Sequence, residues 1–239
     1  IVHVGHNSIG ESRELAAHAR EIGADAIATT GPSFFRPSSA DGLAEFCAEV
    51  SKGAPGVPFY FYHMPSMTGI RVPMLEFMKH ASRRMPEFAG IKYTDEDLMN
   101  YTQCLGFEDG RFNILFGRDE ILLAAMAMGA TGAVGSTYNY MAPLYHKVRA
   151  AFEKGDMASA RLHQTKAIQI IAVMAKFGGL PANKAMMKMI GIDCGPVRPP
   201  LQNLSAEKLA AFEAELRQVG FPDQVTQTHS SMDKAAKAV

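Results

Sequence analysis

The sequence predicts an α/β protein built on a parallel sheet, and three observations carry that reading. Over the first 140 residues, short apolar runs alternate with helical patterns, the mark of parallel strands joined by covering helices. No strand leads into a G-x-G-x-x-G turn, which counts against an open, doubly wound sheet. Polar residues end several different strands instead of gathering at one crevice, as they do on the rim of a closed barrel. The expected architecture is therefore a TIM (β/α)8-type barrel with a C-terminal helical extension. About six strands are legible where a complete barrel needs eight. Either two βα units are absent at the N-terminus or the barrel reading is wrong.

In order, Ile1–Gly5 reads as a buried strand. The chain opens inside it without an initiator Met or leader, so residues upstream are expected to be missing. Ser8-Ile9-Gly10-Glu11 has the S-x-x-E form of a capping box. A helix follows with Leu15, Ala16, Ala19 and Ile22 on one face, and Gly23 stops it. Ala24–Thr30 is the next expected strand, followed by a stiff aromatic loop, Pro32–Pro37, and a helix carrying Leu43, Phe46, Cys47 and Val50. Pro58–Tyr62 is a strand of almost only aromatics. Pro65–Gly69 is read as its loop, and Pro73 suits the first turn of another helix.

Phe88–Thr94 is the stretch on which function turns. An uncharged run ends in a single lysine, Lys92, and the polar Thr94-Asp95-Glu96-Asp97 follows at once. A helix with Leu98, Tyr101 and Leu105 inward leads to the strand Phe112–Phe116. A further helix precedes Gly132–Val134, expected as a small-residue strand. Beyond that, helical patterns cover roughly 143–154, 156–177, 181–190 and 205–218. The expected organisation is a partial barrel over 1–140, a barrel-closing and C-terminal helical bundle over 141–221, and a polar, flexible tail over 222–239.

Composition narrows the function. Twenty-four Lys and Arg balance 24 Asp and Glu, which gives no electrostatic case for nucleic acid or an anionic membrane. No apolar run approaches the length of a membrane span. The three cysteines are far apart and odd in number, which fits a reducing compartment and a cytoplasmic location. His3 and His6 do not share a helix face, and no metal site is expected. Lys184 and Lys188 read as a solvated helix face, and the 15 Met residues as fillers of core and interface gaps.

A lysine at a strand's C-terminal end in an apolar setting can lose its proton and attack a carbonyl, forming a Schiff base. Alternatively it caps the strand as an ordinary charge. Tyr62 ends the preceding strand, close enough for its phenol to move a proton in the same chemistry. Asp119 and Glu120 follow the next strand; they suit sugar hydroxyls, or they serve the dipole of the helix behind them. Ser136, Thr137 and Tyr138 end the last expected strand.

Taken together, these residues resemble the N-acetylneuraminate lyase family, within the pyruvate-dependent class I aldolases that also include dihydrodipicolinate synthase. The resemblance runs from about Ile1 to Gly220 and is marked with the vertebrate lyases. It rests on His3-Val4-Gly5, Tyr62-His63-Met64-Pro65 with Thr68-Gly69, Gly90-Ile91-Lys92, Gly117-Arg118-Asp119-Glu120, Gly135-Ser136-Thr137-Tyr138-Asn139 and Arg198-Pro199-Pro200-Leu201. It implies a (β/α)8 barrel, a C-terminal bundle and a homotetramer. Lys92 matches the Schiff-base lysine, so no cofactor is needed, and Tyr62 matches the proton-handling tyrosine. Thr94, Gly117, Asp119, Glu120 and Ser136 match positions that hold the sugar's hydroxylated tail. The implied reaction cleaves N-acetylneuraminate to pyruvate and N-acetylmannosamine.

The synthase is the nearer competitor within that superfamily. Where it carries an arginine for its second carboxylate, this chain has Met67. The sequence also departs from the lyases. The first two βα units, with the Gly-(Ser/Thr)-Thr-Gly-Glu motif that binds the pyruvate carboxylate, are not in it, and Thr29-Thr30-Gly31-Pro32 does not replace the motif. The loop that often lends a tyrosine to a neighbouring subunit offers Phe34 and Phe35. The expectation is a weak or inactive aldolase, or a non-catalytic partner of a full-length enzyme.

Overall fold

The computed structural model describes residues 1–223. Most of the expected tail, from 224 on, lies outside the described residues. Two compact units are present: residues 1–118 with 124–134, and residues 119–123 with 135 onward.

The first unit is a parallel sheet with its helices. Five strands, β1 (Val2–His3), β2 (Ile27–Thr29), β3 (Phe59–His63), β4 (Phe88–Tyr93) and β5 (Asn113–Phe116), pair in the order β1-β2-β3-β4-β5. Every pair is parallel. Strictly sequential order means that each crossover steps the same way, and right-handed crossovers then place every helix on one face. A doubly wound sheet reverses its order and covers both faces. The chain therefore forms the strand arc of a TIM-type barrel, incomplete in strand number, with helices outside.

Burial agrees with that geometry. Along β3 the residues alternate between buried and half-buried: Phe59, Phe61 and His63 face the helices, while Tyr60 and Tyr62 face inward. The outward set packs as an aromatic seam against α4 (Met74–Arg84) and α5 (Leu98–Gly106). Phe61 meets Phe77 at 4.7 Å between ring centroids, Phe88 meets Phe112 at 5.0 Å, and Tyr93 meets Tyr101 at 5.3 Å. Rings of this size supply much of a core's burial, and tilted contacts suit their quadrupoles.

One irregularity lies before Lys92. Phe59 pairs with Phe88, but Tyr60 pairs with Gly90, so Ala89 is an extra residue in β4. Phe88 and Ile91 are three apart, an odd spacing that would put them on opposite faces. The bulge at Ala89 lets both face the helices, and Lys92 points inward, in register with Tyr62.

Serine and aspartate caps start the helices as their sequences suggest. Ser8 Oγ accepts the Glu11 N–H at the head of α1 (Ile9–Glu21), Ser39 caps α2 (Ala40–Ser51), and Asp97 caps α5. The expected loop after β3 contains one helical turn, α3 (Pro65–Thr68), closed by left-handed Gly69.

Several expectations need correction. β1 is not buried: Val2 and His3 are exposed, because β1 pairs only with β2 among the described residues. The buried face of α1 is Ser12, Ala16 and Ala19, whereas Leu15 and Ile22 stay exposed at 44% and 63%. β2 is shorter than the expected strand, because Ala24 lies outside the paired segment. α5 buries Asn100, Tyr101 and Cys104, not Leu98 and Leu105. The expected strand Gly132–Val134 is only an isolated parallel bridge, Ala133 with Phe116, because residues this small pack too little surface to extend a ladder.

The helix α6 (Leu122–Ala127) leads onward in the chain. The second unit holds α7 (Tyr138–Glu153), α8 (Met157–Lys176), α9 (Leu180–Met189) and α10 (Ala206–Gln218), close to the four expected spans. α7 bends at Met141, two residues before Pro143, which lacks the N–H to continue the ladder. Leu123, Val148, Ala151 and Ala160 form a buried cluster. Lys184 is not simply solvated: its Nζ donates to the carbonyls of Cys194 and Pro196, at 3.0 and 2.7 Å, and pins that segment to α9.

Candidate active site

The inner face of the first unit's sheet is where reactive side chains remain uncovered. Lys92 is half-buried there, and its Nζ lies 3.9 Å from the centroid of the Tyr62 ring. The two residues are register partners on adjacent parallel strands, so the strand pairing itself sets the contact. A cation over an aromatic face is attracted by the ring quadrupole. The Tyr62 hydroxyl donates to Met64 Sδ at 3.4 Å, a weak acceptor that a better one can displace.

His3 shares this neighbourhood. Its ring stands edge-on to Tyr62 at 6.1 Å between centroids. His3 is exposed as a residue, but its ring is partly desolvated by its neighbours; that desolvation, and then the Lys92 charge, lower its pKa. At neutral pH His3 is therefore a neutral imidazole, able to accept a proton. The sequence reading set His3 aside as a metal ligand and kept it only within His3-Val4-Gly5, so its place beside Tyr62 was not assigned; its position at a strand end was the available signal. Among the described residues no group of three or more His, Cys, Asp or Glu could hold a metal ion.

Thr94 and Gly117 come together at the ends of β4 and β5. The Thr94 N–H donates to the His63 carbonyl at 2.8 Å, and the Gly117 N–H to the Tyr93 carbonyl at 2.7 Å. A Cβ on residue 117 would sit 2.0 Å from Thr94 Oγ1, so glycine is required for that hydroxyl to stay in place. Thr94 is 8% exposed, and its Oγ1 has no hydrogen-bond partner among the described residues. A buried hydroxyl left without a partner costs about 1–3 kcal/mol, so this one calls for a partner from outside the described residues.

On the helix side of the same strand ends lies a pair that sequence reasoning passed over. His63 Nε2 is 3.5 Å from Asp95 Oδ2. Burial pushes the His63 pKa down to about 4, against the opposing pull of Asp95 and Asp97. His63 is thus neutral at pH 7, and the contact with Asp95 is polar rather than a full ion pair. A cavity of about 470 Å³ opens here, lined by His63, Arg71, Tyr93, Asp95 and Asp97 among others. The alternation along β3 could have placed His63 opposite Tyr62; its link to Asp95 depends on a loop and could not be read.

In the second unit, Asp119 is 5% exposed. Its Oδ2 accepts from the Thr137 N–H at 2.9 Å and from the Thr137 hydroxyl at 2.6 Å. The Thr137 Oγ1 is also 2.8 Å from the Tyr145 hydroxyl. A Cβ at Gly135 would meet Asp119 Oδ1 at 1.5 Å, so the carboxylate occupies space that only a glycine leaves open. Glu120 is half-buried and Ser136 exposed. The Ser136 carbonyl accepts from Asn139 Nδ2 at 2.9 Å, which fixes the turn after it. Asp119 is therefore held inside the protein, and Ser136 is exposed.

Comparison with known proteins places these residues in a lineage. Residues 1–219 match the Dihydrodipicolinate synthetase family. The chain belongs to the dihydrodipicolinate synthetase family. Among its members, the N-acetylneuraminate lyase of Mus musculus is 45% identical over 224 residues, 92% of this chain and 70% of that protein. The Homo sapiens lyase is 43% identical over the same share of each. Of solved structures in the family, the lyase of Aliivibrio salmonicida superposes with a TM-score of 0.90 at 40% identity, covering 94% of this chain and 74% of that one. A dihydrodipicolinate synthase shares the fold, with a TM-score of 0.78, at 23% identity, covering 91% of this chain and 74% of that one. Members of the family named in these comparisons thus include both lyases and synthases, and the lyases are nearer in sequence.

Proposed function

We propose that this chain is a class I aldolase of the N-acetylneuraminate lyase type, working through a Schiff base at Lys92. The observation that carries the reading is the Lys92 amine against the Tyr62 ring, on the open face of a parallel sheet. Relatives named N-acetylneuraminate lyase at 43–45% identity support the substrate. A solved sialic acid aldolase from Ruminococcus gnavus, 27% identical, is described as a catalytic lysine mutant, which supports a lysine as the reactive group.

The chemistry follows from those groups. The Lys92 amine adds to the C2 ketone of the open-chain sugar and expels water, leaving an iminium. The iminium draws electrons as the C3–C4 bond breaks, while Tyr62 takes the C4 hydroxyl proton and passes its own phenolic proton to the substrate carboxylate. N-acetylmannosamine leaves as the aldehyde. The enamine that remains is protonated at C3 and hydrolysed, and pyruvate is released. Thr94, Gly117, Asp119, Glu120 and Ser136 are assigned to the hydroxylated tail. Thr94 Oγ1, buried and without a hydrogen-bond partner among the described residues, supports its own place in that set. No external cofactor enters these steps.

The substrate assignment favours the lyase over the synthase at one visible place. Met67, in the turn after Tyr62, is 73% exposed and brings no charge to meet a second carboxylate. The reading includes a cytoplasmic homotetramer; the buried Cys47 and Cys104 thiols, whose pKa values burial raises, fit a reducing compartment.

Borohydride trapping with pyruvate tests the proposal. Covalent labelling at Lys92, abolished in Lys92→Met, is expected; absence of label on the wild-type chain overturns it. Turnover of N-acetylneuraminate, set against condensation of pyruvate with aspartate semialdehyde, separates lyase from synthase. Light scattering of the purified chain tests the tetramer.

A further inference from the structure

Gln164 sits on α8, 6% exposed, far along the chain from any residue assigned to substrate. Among the described residues, its side-chain hydrogen bonds go to one short stretch, Asp119–Leu123. Its Nε2 donates to the Asp119 carbonyl at 3.1 Å and to the Glu120 carbonyl at 3.0 Å. Its Oε1 accepts from the Leu123 N–H at 3.0 Å. A backbone N–H can only donate and a carbonyl can only accept, so these partners fix which way the amide lies. The segment they hold, Asp119–Ile121, is a single 3-10 turn too short to hold its own shape.

The first residue of that turn is also fastened through its side chain. The Asp119 carboxylate takes both the N–H and the hydroxyl of Thr137, the residue after Ser136. One buried network therefore fixes the backbone at Glu120 and at Ser136 together.

We infer that Gln164 is a positioning residue for substrate specificity: its side-chain amide holds the Asp119–Glu120 turn so that Glu120 and Ser136 meet the polyol tail of the sugar. This inference rests on the proposed aldolase reading. Gln164 itself touches no substrate. Its effect belongs to recognition of the tail and not to imine formation, since pyruvate has no hydroxylated tail to recognise.

The test compares Gln164→Met, which keeps the volume and loses the hydrogen bonds, and Gln164→Glu, which keeps an acceptor and turns a carboxylate toward two carbonyls. Three readouts are taken on the full chain: KM for N-acetylneuraminate, borohydride trapping of pyruvate, and amide exchange at Leu123. For Gln164→Met a KM increase of roughly tenfold is expected, the scale set by lost buried hydrogen bonds. Trapping should change much less than KM, and the Leu123 amide should exchange faster. Gln164→Glu should raise KM further. An unchanged KM in both variants overturns the inference and leaves the aldolase reading standing. Equal losses in KM and trapping also overturn it, because they indicate general unfolding. A wild-type chain that traps no pyruvate overturns the aldolase reading and this inference together.

Discussion

At the scale of single residues, close approach and burial give the sharpest expectations. Gly135→Ala drives a methyl group into the Asp119 carboxylate, where the present clearance to a Cβ is 1.5 Å. Overpacking of this kind costs about 1–3 kcal/mol or more. A lowered denaturant midpoint with unchanged slope is expected, together with a raised KM for the sugar. His63 adds a pH term. Its pKa is 6.5 in the unfolded reference and about 4 in the fold, so the unfolded chain binds the extra proton between those values. Stability therefore rises with pH across that window, is complete above 6.5, and is lost as pH falls toward 4. The effect is at most about 3 kcal/mol, at 1.36 kcal/mol per unit. The difference in melting temperature between wild type and His63→Asn should thus shrink from pH 7 to pH 5; a constant difference would contradict the buried neutral imidazole.

At the scale of elements, the aromatic seam is the feature with the clearest energetic content. Phe77 lies on α4, fully buried, and meets both Phe61 and Phe88. Phe77→Ala is expected to cost about 3–5 kcal/mol, as large aromatic truncations do, read by denaturant unfolding. Much of this layer was legible in the sequence. The alternation in Pro58–Tyr62 and the run before Lys92 mark strands, and the four late helices fall near their expected spans. What escaped has physical causes. Leu15 and Ile22 sit at helical spacing, yet spacing cannot say which part of an apolar stripe another element covers. Gly132–Val134 looks like a strand because it is uncharged, but backbone pairing needs side chains that pack. The network of Gln164, Asp119 and Thr137 joins residues far apart in the chain, and no local pattern announces it. For the candidate site, Lys92 and Tyr62 could be chosen from strand ends alone. Asp119 and Glu120 could be read as acceptors for sugar hydroxyls and Ser136 as a hydroxyl at a strand end, whereas Thr94 and Gly117 came from resemblance alone; the Thr94 hydroxyl has no hydrogen-bond partner among the described residues.

At the scale of the whole molecule, charge and fold set different things. A net charge of +0 at pH 7 and a pI near 7.2 leave little repulsion between copies. A solubility minimum is expected close to neutral pH, measurable by light scattering across pH 6–9. No retention on a phosphate-rich matrix at physiological salt is expected, since such binding needs a basic surface. Sequential strand order, in turn, is what leaves one face of the sheet free of helices. The residues carrying reactive groups there, Tyr62 and Lys92, owe their shared orientation to their direct pairing across β3 and β4. In a pleated ribbon the side of a side chain is a matter of odd or even count. Ala89 is the residue that the count skips: without it Phe88 would stand next to Gly90, and the pairs from Tyr60 to His63 would be unchanged. One residue inserted between Ile91 and Lys92 is the change that would turn the amine to the helix-covered side, with every functional group still in the chain.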